Sequence, residues 1–232
     1  MTNSVHEGGN YLISAPEHRT VAEIEKGCRN RMMNALRCAM PQISEWDDKR
    51  SDQSVVLCPL DSTINFSRHH GPYGLMAALM HEGEPQLGAI FLPKHAEFVI
   101  AERGRGAYYN DAKIIVSERD DLHGAIVRCD HMAYDGKEQV GWVIQALIEN
   151  EVEWQNFGSP AEAFMSLIRG KVDGYVSPCI DPSHIGGYIA MEEARVIVTD
   201  SKGKALDNES TNVVAARPGI HERLLEIIGK AL

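Results

Sequence analysis

Three things are scarce in these 232 residues, and each scarcity excludes a class of function. Basic residues are outnumbered, with 23 Lys and Arg against 33 Asp and Glu and a formal net charge of -10. Binding a broad stretch of nucleic acid or an anionic membrane needs a surplus of Lys and Arg. Neither is an expected partner, and any phosphate handled by this chain is handled locally. Long apolar runs are missing too: none approaches the roughly 20 residues that span a bilayer. The first residues, MTNSVHEGGN, have neither the basic start nor the apolar stretch of a signal peptide, so a cytoplasmic location is the default expectation. Paired cysteine spacing is also lacking. Cys28, Cys38, Cys58, Cys129 and Cys179 are odd in number and contain no CxxC, which indicates neither a disulfide framework nor a structural zinc site. Most of them read as small buried hydrophobes.

What is present fits a soluble globular protein: 44% hydrophobic and 24% charged side chains are enough to bury a substantial core, as one compact unit or two small fused lobes. Residues 1 to 18 are polar. Thr20 then opens a helical pattern in which Val21, Ile24, Cys28, Met32, Leu36 and Met40 recur at three- and four-residue steps until Pro41. Residues 44 to 53, SEWDDKRSDQ, read as an exposed loop, and Val55 to Leu57 as a short buried strand. From Tyr73 to Ile115, apolar stretches alternate with turn signals, as in an antiparallel meander. Beyond it the pattern changes. Strand-like Ala125 to Cys129, Val172 to Val176 and Val213 to Ala216 alternate with helix-like Glu138 to Glu149, Ala161 to Arg169, Ile185 to Arg195 and Ile220 to Ile228, which indicates a layered α/β half. The boundary between the lobes, 1-122 and 123-232, falls near residue 122.

The segment Cys58-Pro59-Leu60-Asp61-Ser62-Thr63-Ile64-Asn65-Phe66 resembles the signature Asp-Pro-(Ile/Leu)-Asp-Gly-Thr-x-Asn-Phe of the inositol monophosphatase family, agreeing at six positions. Gly104-Arg105-Gly106-Ala107-Tyr108-Tyr109-Asn110-Asp111 is similar to the family's Gly-x-Gly-Ala-x-x-Asn-Gly. Gly158-Ser159 and Gly170-Lys171-Val172-Asp173-Gly174-Tyr175 resemble its Gly-Ser helix and the strand after it, and Asn212 to Ala216 its last strand. These matches run in the family's order over nearly the whole chain, so their joint coincidence is far rarer than that of any one motif. The resemblance implies alternating helix and sheet layers, with the active site between two lobes. The match starts at Val21, so the family's usual first helix is expected to be absent or replaced by residues 1 to 18. The stripe Met32, Leu36 and Met40 would then be partly bare and would favour a homodimer contact.

The same resemblance implies chemistry: hydrolysis of a small polyol or sugar phosphate monoester, with Mg²⁺ held by carboxylates to neutralise phosphoryl charge and activate a water. Carried over residue by residue, Glu45, the Leu60 carbonyl and Asp61 would hold metal. Thr63 would orient the water, and Ser62, Thr63 and Ser183 would face the substrate. Apart from the resemblance, Glu45 reads as an exposed loop glutamate and Asp61-Ser62-Thr63 as a turn after a strand. Three departures argue for attenuation. Cys58 stands where the family has a metal-bridging Asp, Ser183 where it has the second-lobe Asp, and Ser177 where an acid contacts a substrate hydroxyl. A thiol and a hydroxyl are poor replacements for carboxylates around a hard cation. Asp181 could take over as a metal ligand, and Cys58, Asp61, Asp181 and His184 would make a mixed set suited to Zn²⁺ rather than Mg²⁺, with Mn²⁺ a further option; the plainer reading has Cys58 as a buried strand thiol and His184 as an ordinary first-turn residue. His69 and His70 read as solvent-exposed loop residues, and Arg103 to Gly106 as a turn with solvated charges. The alternative to an attenuated, metal-dependent phosphatase is a non-catalytic ligand-binding or regulatory protein, with no metal, on the same fold.

Overall fold

The computed structural model describes residues 20-46, 52-130, 137-207, 209-229 and 232. Expectations for residues 1 to 18, and for residues 47 to 51 of the loop read at 44 to 53, fall outside them. The first helix, α1 (Val21–Ala39), begins where the periodicity predicts it. Thr20 and Glu23 close a reciprocal capping box at its start, worth about 1 kcal/mol against alanine at the cap. Its stripe of Met32, Leu36 and Met40 is half-buried and packs on Met33, Ile43, Val55 and Leu57, so α1 spends its apolar face on the sheet beneath it.

That sheet has seven strands in chain order: β1 (Ser44–Glu45), β2 (Gln53–Cys58), β3 (Leu75–His81), β4 (Glu84–Leu92), β5 (Glu97–Glu102), β6 (Gly106–Tyr109) and β7 (Ala112–Ile114). From β2 onward every pairing is antiparallel, the expected meander. Sequence reading missed β1, a two-residue strand that pairs parallel with β2, because its only signal is a single Ile43 ahead of a charged run. A five-residue helix, α2 (Thr63–Ser67), follows the motif region and was likewise unread.

The second sheet runs β11-β12-β10-β8-β9, built from β8 (Ile126–Cys129), β9 (Glu153–Gln155), β10 (Gly174–Ser177), β11 (Ile197–Thr199) and β12 (Val213–Ala216). Its pairings are mixed, parallel for β8 with β9 and β10, antiparallel for β12 with β10 and β11. Between the two sheets lie α4 (Pro160–Ile168) and α5 (Ile185–Glu193), whose Phe164, Leu167, Ile189 and Met191 share one core with Met76, Ile90, Val99, Tyr175 and Val198. The far face of the second sheet is covered by α3 (Lys137–Glu149) and α6 (His221–Ile228) through Val143, Leu147, Leu224 and Ile228. The order is helix, sheet, helix pair, sheet, helix pair, the alternating layered α/β fold expected from the sequence.

The middle layer is thin because of glycine. A Cβ on Gly186 would lie 2.1 Å from the Ala77 carbonyl oxygen, and one on Gly88 would lie 2.2 Å from the Gly186 oxygen, so α5 meets β3 and β4 backbone to backbone. That contact brings the start of α5, and the single 3-10 turn at Pro182–His184 before it, against the end of β2. On the opposite face of the first sheet, beyond the cover of α1, Phe91, Ile100 and Tyr108 remain 40 to 44% exposed. Ile100 pairs with Ala89 and Tyr108, and Phe91 lies two residues from Ala89, so the three share one face.

Candidate functional site

The site expected from the sequence lies where β2 ends, with Asp61 at its centre. Asp61 pairs with Gly74 in both directions: its N–H donates to the Gly74 carbonyl at 3.0 Å, and the Gly74 N–H donates to Oδ1 at 2.5 Å. Its second oxygen crosses to the middle layer, where the Ser159 hydroxyl donates to Oδ2 at 2.6 Å and the Ala161 N–H at 2.8 Å. Ser159 is the N-cap of α4, so the carboxylate sits at the start of that helix, where free N–H groups and the helix dipole favour a negative charge. Burial still dominates. It pushes the Asp61 carboxyl up from 3.8 to about 6 against three hydrogen bonds that lower it, and the nearby Asp130 charge raises it further.

Cys58 and Ser183 are brought into contact, with Asp61 and Asp181 near enough to act on the thiol by their charge. The Cys58 thiol is buried and hydrogen-bonds the Ser183 side chain. Burial, then the Asp61 charge, push the thiol up to about 12, and the Ser183 contact only partly opposes them. The positions where the resemblance calls for a metal-bridging Asp and for the second-lobe Asp thus meet as a neutral thiol and a hydroxyl. Asp181 caps the 3-10 turn by accepting from the Ser183 N–H at 2.8 Å, with its other oxygen 3.8 Å from His184 Nε2. His184 itself is buried at 2% exposure, and burial holds its imidazole below the ordinary value.

The remaining expected residues are placed elsewhere. Glu45, on β1, forms an ion pair with Arg29 of α1, whose other guanidinium nitrogen reaches the Leu57 carbonyl at 3.5 Å. Leu60 is buried, Ser62 is a buried N-cap without a side-chain capping bond, and Thr63 is the first residue of α2. Ser177 turns its hydroxyl back to the Cys179 carbonyl at 2.8 Å. His69 and His70 are exposed beyond α2. Arg103 and Arg105 of the Arg103 to Gly106 turn are exposed, as expected; the turn's backbone is tied down, Gly104 and Gly106 donating their N–H groups to the two oxygens of Glu193 at 2.8 Å each, and Arg103 lies 3.6 Å from Glu192.

Sequence reasoning missed a second polar cluster. Arg128 of β8 is 6% exposed; it donates to Gln155 at 2.7 Å, lies 3.2 Å from Glu162 of α4, and sits 3.8 Å over the Phe157 ring. Asp130, 7% exposed, follows two residues later. The available signal was a lone arginine in the otherwise apolar Ala125-Ile126-Val127-Arg128-Cys129, since a buried charge is kept only with partners.

A profile of the inositol monophosphatase family matches residues 14–232. The chain belongs to the inositol monophosphatase family. It is 26% identical over 218 residues to the fructose-1,6-bisphosphatase/inositol-1-monophosphatase of Thermotoga maritima, covering 91% of this chain and 83% of that one. To the Nus factor SuhB of Pasteurella multocida it is 27% identical over 222 residues, covering 91% and 83%. The structure of a Thermotoga maritima IMPase superposes with a TM-score of 0.81 at 25% identity, over 94% of this chain and 87% of the other. Among the described residues, no helix is long and apolar enough to cross a membrane.

The residues of this family member do not fit a Mg²⁺ or Zn²⁺ ion. Among the described residues, no three His, Cys, Asp or Glu side chains converge as a metal site would require. This departs from the expected sets of Glu45, Leu60, Asp61 and Asp181, and of Cys58, Asp61, Asp181 and His184. Each donor is otherwise engaged. Arg29 supplies the cation for Glu45, three protein donors surround the Asp61 carboxylate, Asp181 caps a turn, and the Cys58 thiol contacts the Ser183 side chain.

Proposed function

We propose that this chain is a non-catalytic member of the inositol monophosphatase family, a ligand-binding or regulatory protein that keeps the fold without metal-dependent ester hydrolysis. The observation that carries this reading is the Cys58–Ser183 contact, a neutral pair at the positions that the resemblance assigns to the bridging Asp and to the second-lobe Asp. Without their charge, neither phosphoryl neutralisation nor activation of a water has a source. Relatives on this fold bear names of two kinds, phosphatase and Nus factor, so membership by itself fixes no activity. The kept Asp61 and Thr63 favour the second reading, a slow metal-dependent phosphatase acting on a small polyol or sugar phosphate. The test is hydrolysis of a panel of such monoesters with Mg²⁺, Mn²⁺ or Zn²⁺, together with calorimetric titration of Mg²⁺. The expected outcome is no release of phosphate above background and no binding heat. Turnover at an ordinary enzymatic rate, abolished in Asp61→Asn, would decide for the second reading.

For quaternary structure, the exposed strip of Phe91, Ile100 and Tyr108 supports a homodimer better than the α1 stripe, which is half-buried on its own sheet. Light scattering after size exclusion is expected to give a dimer, and Ile100→Lys, which puts a charge in the middle of the strip, a monomer. A monomeric unaltered protein would sink the idea.

A further inference from the structure

Beside the Asp61 cleft, on the α2 side, opens a cavity of about 480 Å³ lined by Asn65, His70, Pro72, Asn156, Phe157 and Gly158, among others. That is within the size range of small-molecule sites. Its lining includes the Phe157 ring, 50% exposed, which has a partner behind it and a tether on its backbone. Behind it the Arg128 guanidinium lies 3.8 Å from the ring centroid. Below it, Asn65 Nδ2 donates to the Phe157 carbonyl at 2.7 Å and to the Pro72 carbonyl at 2.8 Å, tying the two walls together. The Gly158 N–H donates to Asn156 Oδ1 at 2.7 Å, and Gly158 takes φ 67, a conformation suited to glycine. An exposed phenylalanine with so fixed a backbone and a cation on its inner face has its ordering cost met before anything binds. A recess of about 10 Å³ shares Asn156, Phe157 and Gly158 with the cavity and is lined by Arg128 and Glu162. Their Nε and Oε2 atoms are a buried donor and a buried acceptor with no hydrogen-bond partner among the described residues.

From this geometry we infer that the cavity binds a planar heteroaromatic group of the nucleobase class, stacked on the outer face of Phe157. A guanidinium on one face of a ring draws π density towards itself, and the open face then stacks well on an electron-rich ring. The imidazole of His70, which lines the cavity and is exposed, can donate to or accept from ring heteroatoms. A bare polyol has no flat surface for Phe157. Free phosphate finds no free guanidinium, since Arg128 is committed to Gln155 and Glu162.

The inference deepens the ligand-binding reading above and rests on it for its biological sense, but its test is separate. Adenosine, myo-inositol and inorganic phosphate are titrated calorimetrically into the full chain and into Phe157→Ala and Phe157→Trp. Adenosine is expected to bind the unaltered protein and Phe157→Trp, and to bind Phe157→Ala roughly tenfold more weakly, the size of one lost base–aromatic stack. Myo-inositol and phosphate are expected not to compete. Absence of adenosine binding, equal affinity in Phe157→Ala, or equal competition by myo-inositol overturns the inference. Because adenosine carries no phosphate ester, a chain that binds it through Phe157 yet hydrolyses monoesters overturns only the non-catalytic reading. A chain that does neither overturns only this one.

Discussion

Cys58→Asp combined with Ser183→Asp is expected to unfold roughly 10 °C below the unaltered protein in EDTA and to recover much of that loss in excess Mg²⁺. The loss comes from charge. Both positions face Asp61 across the end of β2, and burial with the Asp61 charge already drives the Cys58 thiol up to about 12. Two carboxylates placed there, with no cation beside them among the described residues, leave uncompensated buried charge, for which removal of a partner typically costs about 3–5 kcal/mol. In a chain of this size each kcal/mol shifts the midpoint by about 2–4 °C. Recovery comes from binding. A cation held only by the folded state adds about 2.7 kcal/mol at a hundred times its Kd, and three carboxylates around one point are the ligands a hard ion selects. The unaltered protein, with its neutral thiol–hydroxyl pair, should show no Mg²⁺-dependent shift in the same melting experiment. A double variant as insensitive to Mg²⁺ as the unaltered protein would mean that these two side chains are not what separates the chain from a metal site.

How much of this was legible in the sequence differs between fold and site, for a physical reason. Helix α1, the meander from β3 to β7 and the buried strands of the second sheet were read from periodicity, because burial on one face imposes a repeat that survives in the residues. Strands β1, β9 and β11 have two or three residues each, too few for any repeat, and owe their form to the neighbour they pair with. Proximity of Cys58 to Ser183 was legible from motif order. What side chains do once there was not. Nothing near Glu45 in the chain announces Arg29, sixteen residues earlier on another element, as its partner. The Asp61 carboxylate similarly takes donors from residues 74, 159 and 161. Arg128 was passed over because a short apolar run was read for its pattern and not for its exception.

Asp61→Asn is expected to change the pH dependence of stability more than its value at neutral pH. The folded carboxyl titrates at about 6, raised first by burial, from 3.8. A carboxyl whose folded value is raised keeps its proton in the native state at pH values where the unfolded chain has lost it. Its contribution to stability is therefore fully present below about pH 4 and is lost as the pH rises through 6. Over that window the unaltered protein should lose on the order of 2 kcal/mol that Asp61→Asn, with nothing to titrate, does not lose. The asparagine has its own cost. Three donors converge on Asp61, and an amide can accept at only one of its two ends, so one N–H or O–H is left facing an NH₂, at about 1–3 kcal/mol. The stability difference between the two should thus shift in favour of the variant as the pH rises from 4 to 7. Every other titratable group is common to both proteins and cancels in the difference. Urea unfolding of the two at half-unit steps from pH 4 to 7 measures it. Parallel curves would show that the Asp61 carboxyl titrates normally in the folded state, and its burial at the start of α4 could then no longer be counted as the reason it is unsuited to a metal.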